Sequence, residues 1–165
     1  MRKSVLLPNL ASIGTLSLMN LQLIPIKEFL HENVEFEAHP DCRENLEMSI
    51  MFYSRVGYVV PWIGYYASLD GVWVGSGGFK GRPRDGRVEI AYGTFPSFQH
   101  QGIGTMICKE LVMLTLRTDP TVKITARTLM EENHSAKILR KNGFVWQGVV
   151  VDPDDGEVWE WEYVR

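Results

Sequence analysis

The feature that most restricts the fold of this chain is a glycine-bearing turn between a predicted strand and a predicted helix. The strand covers residues 87–95, the turn runs from Gln99 to Thr105, and the helix covers residues 103–117. Apolar residues recur on one stripe of that helix, as in a helix that packs against a core. The first turn of a helix has N–H groups without intrahelical partners, so we expect this turn to favour a negatively charged ligand.

Two glycines in the turn indicate that the ligand carries phosphate. Gly102 and Gly104 lack the Cβ atoms that would keep an anion away from the helix amides. Such a turn can hold a pyrophosphate without a basic side chain. It is not a Walker A loop, because no Gly-Lys-Ser/Thr follows. It is not a GxGxxG motif either, because the third glycine of that pattern is missing.

The turn resembles a motif of the GNAT superfamily of N-acetyltransferases. In that family a Q/R-x-x-G-x-G/A segment follows a strand and a proline, as the segment from Gln99 to Gly104 follows Pro96 here. Residues 88–93 look like the central strand of the family. Residues 132–144 look like its second cofactor helix with a closing Gly-Phe. The resemblance covers residues 87–165. The Gly-Phe and the late tryptophan-rich strands look somewhat like the ribosomal-protein N-acetyltransferase branch.

The resemblance implies an α/β (α+β) fold with a mixed, mostly antiparallel central sheet. The sheet would be flanked by helices and splayed at a bulge in the central strand. With 165 residues, 45% of them hydrophobic, the chain fits one acyl-CoA N-acyltransferase domain over residues 1–165. Periodicity and turn signals predict helices near 27–32, after a cap at Asp41, at 103–117 and at 133–141, and strands at 16–26, 62–68, 72–79, 87–95, 122–129, 144–151 and 158–164.

The same resemblance implies acetyl-CoA as the co-substrate. In the family, the pantetheine arm pairs with exposed backbone of the central strand, and the pyrophosphate meets amides of the turn. Asn133 lies near the place of a family Asn on the pantetheine arm, with a plain helix N-cap as the equal alternative. The implied cofactor residues are Tyr92, Gly93, Thr94, Gln99, His100, Gln101, Gly102, Ile103, Gly104, Thr105, Asn133 and Ser135.

Glu89 is the candidate catalytic residue. The family often has a Glu at this place in the central strand, where it acts as a base through water. In the implied reaction a neutral amine attacks the thioester carbonyl, so one group must remove a proton from the amine. The alternative role for Glu89 is structural, in an ion pair with Lys80, Arg82 or Arg87.

The group that protonates the departing thiolate stays open. Many relatives use a Tyr on the second cofactor helix, and this chain has Leu139 and Arg140 at the corresponding positions. Ser135, Tyr92 and water are the alternatives. The missing Tyr also leaves open a non-catalytic acyl-CoA-binding sensor on the same fold.

The acceptor is expected to be a primary amine of unknown identity, on a small amine or amino acid or on a protein N-terminus. Its cleft would lie between the early helices and the final hairpin. An acidic cluster at Asp152, Asp154, Asp155 and Glu157 either attracts a cationic amine or is a solvated turn. Aromatic residues that line the cleft or belong to the core are Phe29, Tyr53, Trp62, Tyr65, Tyr66, Trp146, Trp159 and Trp161.

Composition excludes several other classes of function. Seventeen basic and twenty acidic residues give a net charge of −3, which argues against nucleic acid as a partner. No apolar run reaches the ~20 residues of a membrane span. The two cysteines and four histidines show no metal-ligand spacing. Residues 1–7 briefly resemble a signal peptide, but Pro8 interrupts them, so we expect a cytoplasmic protein. A homodimer stays open.

Overall fold

The computed structural model describes residues 19–165, which form one seven-stranded sheet flanked by helices. The predicted start of the first strand at Leu16 and the signal-peptide-like residues 1–7 lie outside the described residues. The strands are β1 (Leu21–Pro25), β2 (Gly64–Leu69), β3 (Val72–Phe79), β4 (Arg87–Thr94), β5 (Lys123–Thr128), β6 (Phe144–Asp152) and β7 (Gly156–Tyr163), and the α-helices are α1 (Val34–Glu37), α2 (Pro40–Val56), α3 (Ile103–Thr118) and α4 (His134–Lys141).

The sheet is mixed and mostly antiparallel, as predicted. Its strand order is β1-β2-β3-β4-β5-β7-β6. Neighbouring strands are antiparallel except β4 and β5, which are parallel. Strand β4 therefore occupies the centre, where the direction of the sheet changes.

Helix α3 lies against β3 and β4 because β3 has glycines where the helix approaches. A Cβ built on Gly77 would be 2.8 Å from Ile107 Cγ2 and 3.0 Å from Leu111 Cδ1. A Cβ on Gly75 would collide with the carbonyl oxygen of Gly93 on β4. Close packing of α3 on the sheet places the start of the helix beside the end of β4.

The helix predicted near residues 27–32 is wrong in its position. A 3₁₀ turn covers Leu30–Glu32 and α1 follows it. The buried side chain of Asn33 gives the physical reason. Its Oδ1 accepts from the Lys27 amide at 2.8 Å, and its Nδ2 donates to the carbonyls of Lys27 and Phe29 at 3.1 and 2.8 Å. These bonds hold residues 27–29 as a loop.

The cap predicted for the second helix is also wrong. Helix α2 begins at Pro40, and His39 is its N-cap residue. Proline suits the first helical position, because an N–H there would have no helical partner and its φ is already helical. Asp41 therefore lies within the first turn, where a negative charge is favourable next to the helix dipole.

Candidate active site

The central strands β4 and β5 part in the middle of the sheet, as predicted. Their ladder runs from Arg87–Lys123 to Ile90–Ala126 and then ends, although β4 continues to Thr94. On its other side β4 stays paired with β3 in a continuous register. Within the described sheet, residues 91–94 of β4 thus have backbone groups without a partner strand on the β5 side, and such groups can bind an extended ligand.

The glycine turn leads from β4 into α3. Gly102 is the N-cap residue of α3 with a φ of 78°, and His100 has a φ of 63°. A left-handed conformation is readily available to glycine, which explains Gly102. Because the N-cap residue of α3 is a glycine, no side chain at that position caps the first amides of the helix. The first amides of α3 are therefore free to bind an anion.

A cavity of about 550 Å³ joins the parted strand, the turn and helix α4. All but two of the residues implied as cofactor ligands line this cavity. The exceptions are Gln101, whose side chain donates to the carbonyl of Ser97 at 3.4 Å, and Asn133. Asn133 caps α4 by accepting from the Ala136 amide at 3.0 Å, which is the structural role that the sequence left open. The cavity is lined by Tyr92, Gly93, Thr94, Gln99, His100, Gly102, Ile103, Gly104, Thr105, His134, Ser135, Lys137, Ile138 and Lys141.

Helix α4 adds four lining residues that the sequence analysis did not single out. His134, Lys137, Ile138 and Lys141 follow one another at helical spacing and share the face toward the cavity. This spacing was readable in the predicted helix 133–141. That these residues line the cavity follows only from the position of α4 beside the turn. Among residues 19–165, none of those that line the cavity is acidic, so the charged side chains of this lining favour an anion.

Gly104 has a packing role besides the anion-binding role that the sequence predicts. A Cβ on Gly104 would lie 2.8 Å from Ile138 Cδ1 and 3.3 Å from Thr94 Oγ1. Its missing side chain thus admits the packing of α4 on α3, in addition to any anion. Gly102 differs, because a Cβ there would have no neighbour within 4 Å among the described residues. At Gly102 the positive φ is what favours glycine.

Tyr92 lies at the cavity with its phenol mostly inside the protein. Burial raises the pKa of Tyr92 well above its ordinary value, and burial raises the pKa of the neighbouring Cys108 thiol to about 12. The Tyr92 hydroxyl donates to the carbonyl of Ser135 at 3.4 Å. Tyr92 therefore stays a neutral hydrogen-bond donor near neutral pH.

Glu89 lies on β4 on the face opposite to Tyr92. Its carboxylate is 3.0 Å from Lys80 Nζ and 3.7 Å from Arg127 Nε, and 18% of its side chain is exposed. Of the three cations that the sequence offered as partners, Lys80 is the one that pairs with it, while Arg87 pairs with Glu160 at 2.8 Å. Gly93 lies further along the same face, where a Cβ would have no neighbour within 4 Å in the described part of the chain.

Arg127 connects Glu89 to the final hairpin. Its Nη1 donates to Asp152 at 2.8 Å, and Asp152 also accepts from the amides of Asp154 and Asp155 at 2.9 and 3.2 Å. These bonds hold the pKa of the buried Asp152 at about 2, with the Arg127 hydrogen bond as the largest cause. Asp154 pairs with Arg55 at 3.6 Å. The acidic cluster is therefore partly bonded within the fold.

We expect Asp152→Asn to lower the free energy of unfolding by about 1–2 kcal/mol at neutral pH. The amide retains an oxygen for the two backbone donors but removes the charge opposite Arg127. Because folding lowers the pKa of Asp152, its contribution is present above about pH 4 and is lost as the pH falls toward 2. Urea unfolding of both proteins at several pH values checks this. A difference that did not shrink with acidification would contradict it.

Most candidate aromatic residues of the acceptor cleft belong to the core. Phe29 and Trp146 are exposed, and Trp159 is half-buried. Trp146 and Trp159 contact each other edge to face, with ring centroids 6.4 Å apart. The buried members are Tyr53, Trp62, Tyr65, Tyr66 and Trp161.

The described residues also bear on metal sites and on membrane-spanning helices. Within residues 19–165, no group of three or more His, Cys, Asp or Glu side chains is placed to hold a metal ion. Over the same residues, no helix has the length and apolar character needed to cross a membrane.

Comparison with known proteins places the chain in a family. Residues 31–145, more than half of the chain, match the model of the acetyltransferase (GNAT) domain. Among curated proteins, no sequence matches the chain. Similar solved structures include RimL, a ribosomal-protein α-N-acetyltransferase in complex with coenzyme A, at 18% identity and a TM-score of 0.64, with 91% of this chain and 96% of that chain covered.

Two further structures have the same fold. An aminoglycoside acetyltransferase in complex with coenzyme A and kanamycin has a TM-score of 0.62 and 23% identity, with 89% of this chain and 95% of that chain covered. A GNAT-family acetyltransferase from Bordetella pertussis has a TM-score of 0.61 and 17% identity, with coverages of 87% and 95%. The sequence match and the shared fold agree with the motif, and the chain belongs to the GNAT acetyltransferase family.

Proposed function

We propose that the protein transfers the acetyl group of acetyl-CoA to a primary amine. The observation that carries the proposal is the cavity between the parted β4 strand and helix α4, which ends at the N-terminus of α3. One end of it offers unpaired backbone, and the other offers free helix amides and cationic side chains. This matches an elongated ligand with an amide-bearing arm at one end and phosphates at the other.

The phosphate end is formed by the turn and the first residues of α3. The amides of Ile103, Gly104 and Thr105 begin the helix and have no helical acceptor four residues earlier. Lys137 and Lys141 add positive charge from α4. Amides and ammonium groups together suit a pyrophosphate, which carries several negative charges.

The arm end is formed by residues 92–94 of β4. Their backbone on the β5 side has no ladder partner, so it can pair with the amides of a pantetheine arm as a neighbouring strand would. Bound there, acetyl-CoA supplies an activated acetyl group as a thioester. Ser135 lines the same cavity, where its hydroxyl is available to hydrogen-bond the pantetheine arm or the departing thiolate.

We assign Glu89 to proton removal from the acceptor amine, through water. It lies on β4 before the parted segment, on the face where Gly93 leaves open space. Lys80 and Arg127 hold the carboxylate in place. Ser135 and Tyr92 line the cavity and are the side chains available to protonate the thiolate, with water as the third source.

The acceptor in this proposal is a small amine or a protein N-terminus. The solved relatives include enzymes of both kinds, since one is named for a ribosomal protein and another is bound to kanamycin. The described cysteines, Cys42 and Cys108, are free and buried, which suits a reducing cytoplasm. We assign all residues of the chain to one acetyltransferase domain.

We expect the protein to release thiol from acetyl-CoA when supplied with the right amine. The measurement is thiol release with a panel that contains free amino acids, an aminoglycoside and peptides with free N-termini. Mass spectrometry of the accepted amine should show one added acetyl group. If the protein bound CoA but released no thiol from acetyl-CoA with any amine of the panel, a non-catalytic sensor would be favoured. Absence of CoA binding would contradict the proposal.

A further inference from the structure

We propose that the acceptor is a monoamine, in which the reacting amine is joined to an uncharged body, rather than a polyamine such as an aminoglycoside. This inference rests on the proposed function, in which Glu89 meets the acceptor on its face of the sheet. The observation that carries it is the charge on that face, where carboxylates and cations cancel one another within the fold.

The face that bears Glu89 carries a connected network of ion pairs with alternating charge. Arg127 is 3.7, 2.8 and 3.6 Å from three different carboxylates. Arg87 is 2.8 and 3.3 Å from two, one of which it shares with Arg127. Four cations thus face four carboxylates, and their charges sum to zero. The members are Lys80, Arg87, Lys123 and Arg127 with Glu89, Asp152, Glu160 and Glu162.

The acids of the turn between β6 and β7 add little negative charge to this face. Asp154 pairs with Arg55 at the end of α2, at 3.6 Å. Asp155 is exposed at the tip of the turn, and alternation along β7 points Glu157 to the opposite face of the sheet. In the described part of the chain, this face therefore offers Glu89 to the reacting amine but no carboxylate of the network to a second ammonium group.

Beyond Glu89, the parted segment of β4 presents uncharged residues on the same face. Alternation places Ala91 and Gly93 there, and both are exposed. Phe95 follows, with its ring 6.2 Å from that of Tyr66, whose hydroxyl donates to the carbonyl of Cys42 in α2. An acceptor that places its amine near Glu89 therefore lies over small and aromatic residues, which suit an uncharged body.

The side of α2 that faces the final hairpin carries apolar side chains as well. Arg55 identifies this side, because it pairs with Asp154 of the hairpin turn. Arg55 also lies over the ring of Phe52, 5.7 Å from its centroid. Met48 is two helical turns before Arg55 on the same side, and 70% of it is exposed. Both the floor and this side of the acceptor surface therefore suit contact with an uncharged group.

The test compares acceptors that differ by one positive charge. One pair is the amidated peptides Ala-Met-Ala-Ala and Ala-Arg-Ala-Ala, since the arginine adds a cation that is not a primary amine. The other pair is pentylamine and 1,5-diaminopentane, and kanamycin is the polyamine reference. Thiol release gives kcat/KM for the wild type, Arg55→Met and the control Lys109→Met.

The two substitutions remove the same charge from opposite sides of the sheet. Arg55→Met leaves Asp154 without its cation. Lys109 is exposed on α3, which packs on the face opposite to Glu89. Thermal unfolding and calorimetry with CoA verify that each variant is folded and binds the cofactor.

We expect the wild type to prefer the singly charged member of a pair by about threefold or more, because a second cation meets no free carboxylate of the network. Arg55→Met should reduce this preference about threefold at low salt, since Asp154 is then free, and high salt should abolish the difference. Lys109→Met should behave as the wild type.

A wild-type preference for the doubly charged member or for kanamycin would overturn the inference and leave the proposed function standing. An unchanged preference in Arg55→Met would overturn it too, because charge would then not determine the choice of acceptor. A wild type that acetylated neither these amines nor any of the wider panel would overturn the proposed function itself.

Discussion

We expect Glu89→Gln to lower kcat/KM for the acceptor amine by about 10²-fold near neutral pH. A positioned general base contributes about 10² to 10⁴ in rate, and glutamine keeps the shape of the side chain without the ability to take a proton. The loss should shrink as the pH rises, because the free amine is then already neutral. Affinity for CoA should not change, since Glu89 does not line the cavity that we propose for the phosphates.

A matched control separates catalysis from the loss of an ion pair. Glu162 lies on β7 with 20% of its side chain exposed, close to the 18% of Glu89, and it also pairs with two cations, Arg87 at 3.3 Å and Lys123 at 3.4 Å. Glu162→Gln should therefore cost similar stability while keeping kcat/KM. If Glu89→Gln also retained full activity, the role of the carboxylate would be structural. Its ion pairs with Lys80 and Arg127 would then account for its place in the fold.

The second large effect concerns stability. We expect Gly75→Val to lower the free energy of unfolding by about 3 kcal/mol or more. Valine is a better strand former than glycine, so intrinsic propensity alone predicts the opposite sign. Packing decides, because a Cβ at position 75 would collide with the Gly93 carbonyl and would lie 2.9 Å from Ile107 Cδ1. Denaturant unfolding with an unchanged m-value would establish the loss.

Gly93→Val provides the comparison for this prediction. Gly93 is in the adjacent strand, paired with Ser76, and a Cβ there would have no neighbour within 4 Å from residues 19–165. We expect the free energy of unfolding of Gly93→Val to stay within about 0.5 kcal/mol of the wild-type value. Equal destabilisation by both substitutions would show that backbone effects in the strands, rather than the packing of α3, determine the result.

Much of the fold was predictable because the relevant signals are local. The turn between Gln99 and Thr105, the periodic helix after it and the alternation in β4 are each determined by neighbouring residues. These elements carry the resemblance to the family, which in turn implied the mixed, mostly antiparallel sheet, and both the family and the sheet were confirmed. The errors at residues 27–32 and at Asp41 arose where one side chain, Asn33, or one proline decided the backbone.

Other features depended on contacts between distant residues. The sequence alone could place Glu89 on a strand face, but only the folded chain selected Lys80 and Arg127 as its partners, since Arg127 is contributed by the neighbouring strand β5. The sequence predicted that Gly104 suits an anion. The contact of Gly104 with Ile138 could not be predicted, because it depends on the packing of α4 on α3.

The phosphate end of the cavity shows the same division. By itself, the sequence determined that a helix with free amides begins after β4, because that depends on a few consecutive residues. The tertiary structure alone decided that Lys137 and Lys141 line the same cavity as the residues that begin α3, because the position of α4 is set by its packing on α3 and by the bond between Asn142 and Thr105. Side chains far apart in sequence form one site only after the elements that carry them have packed.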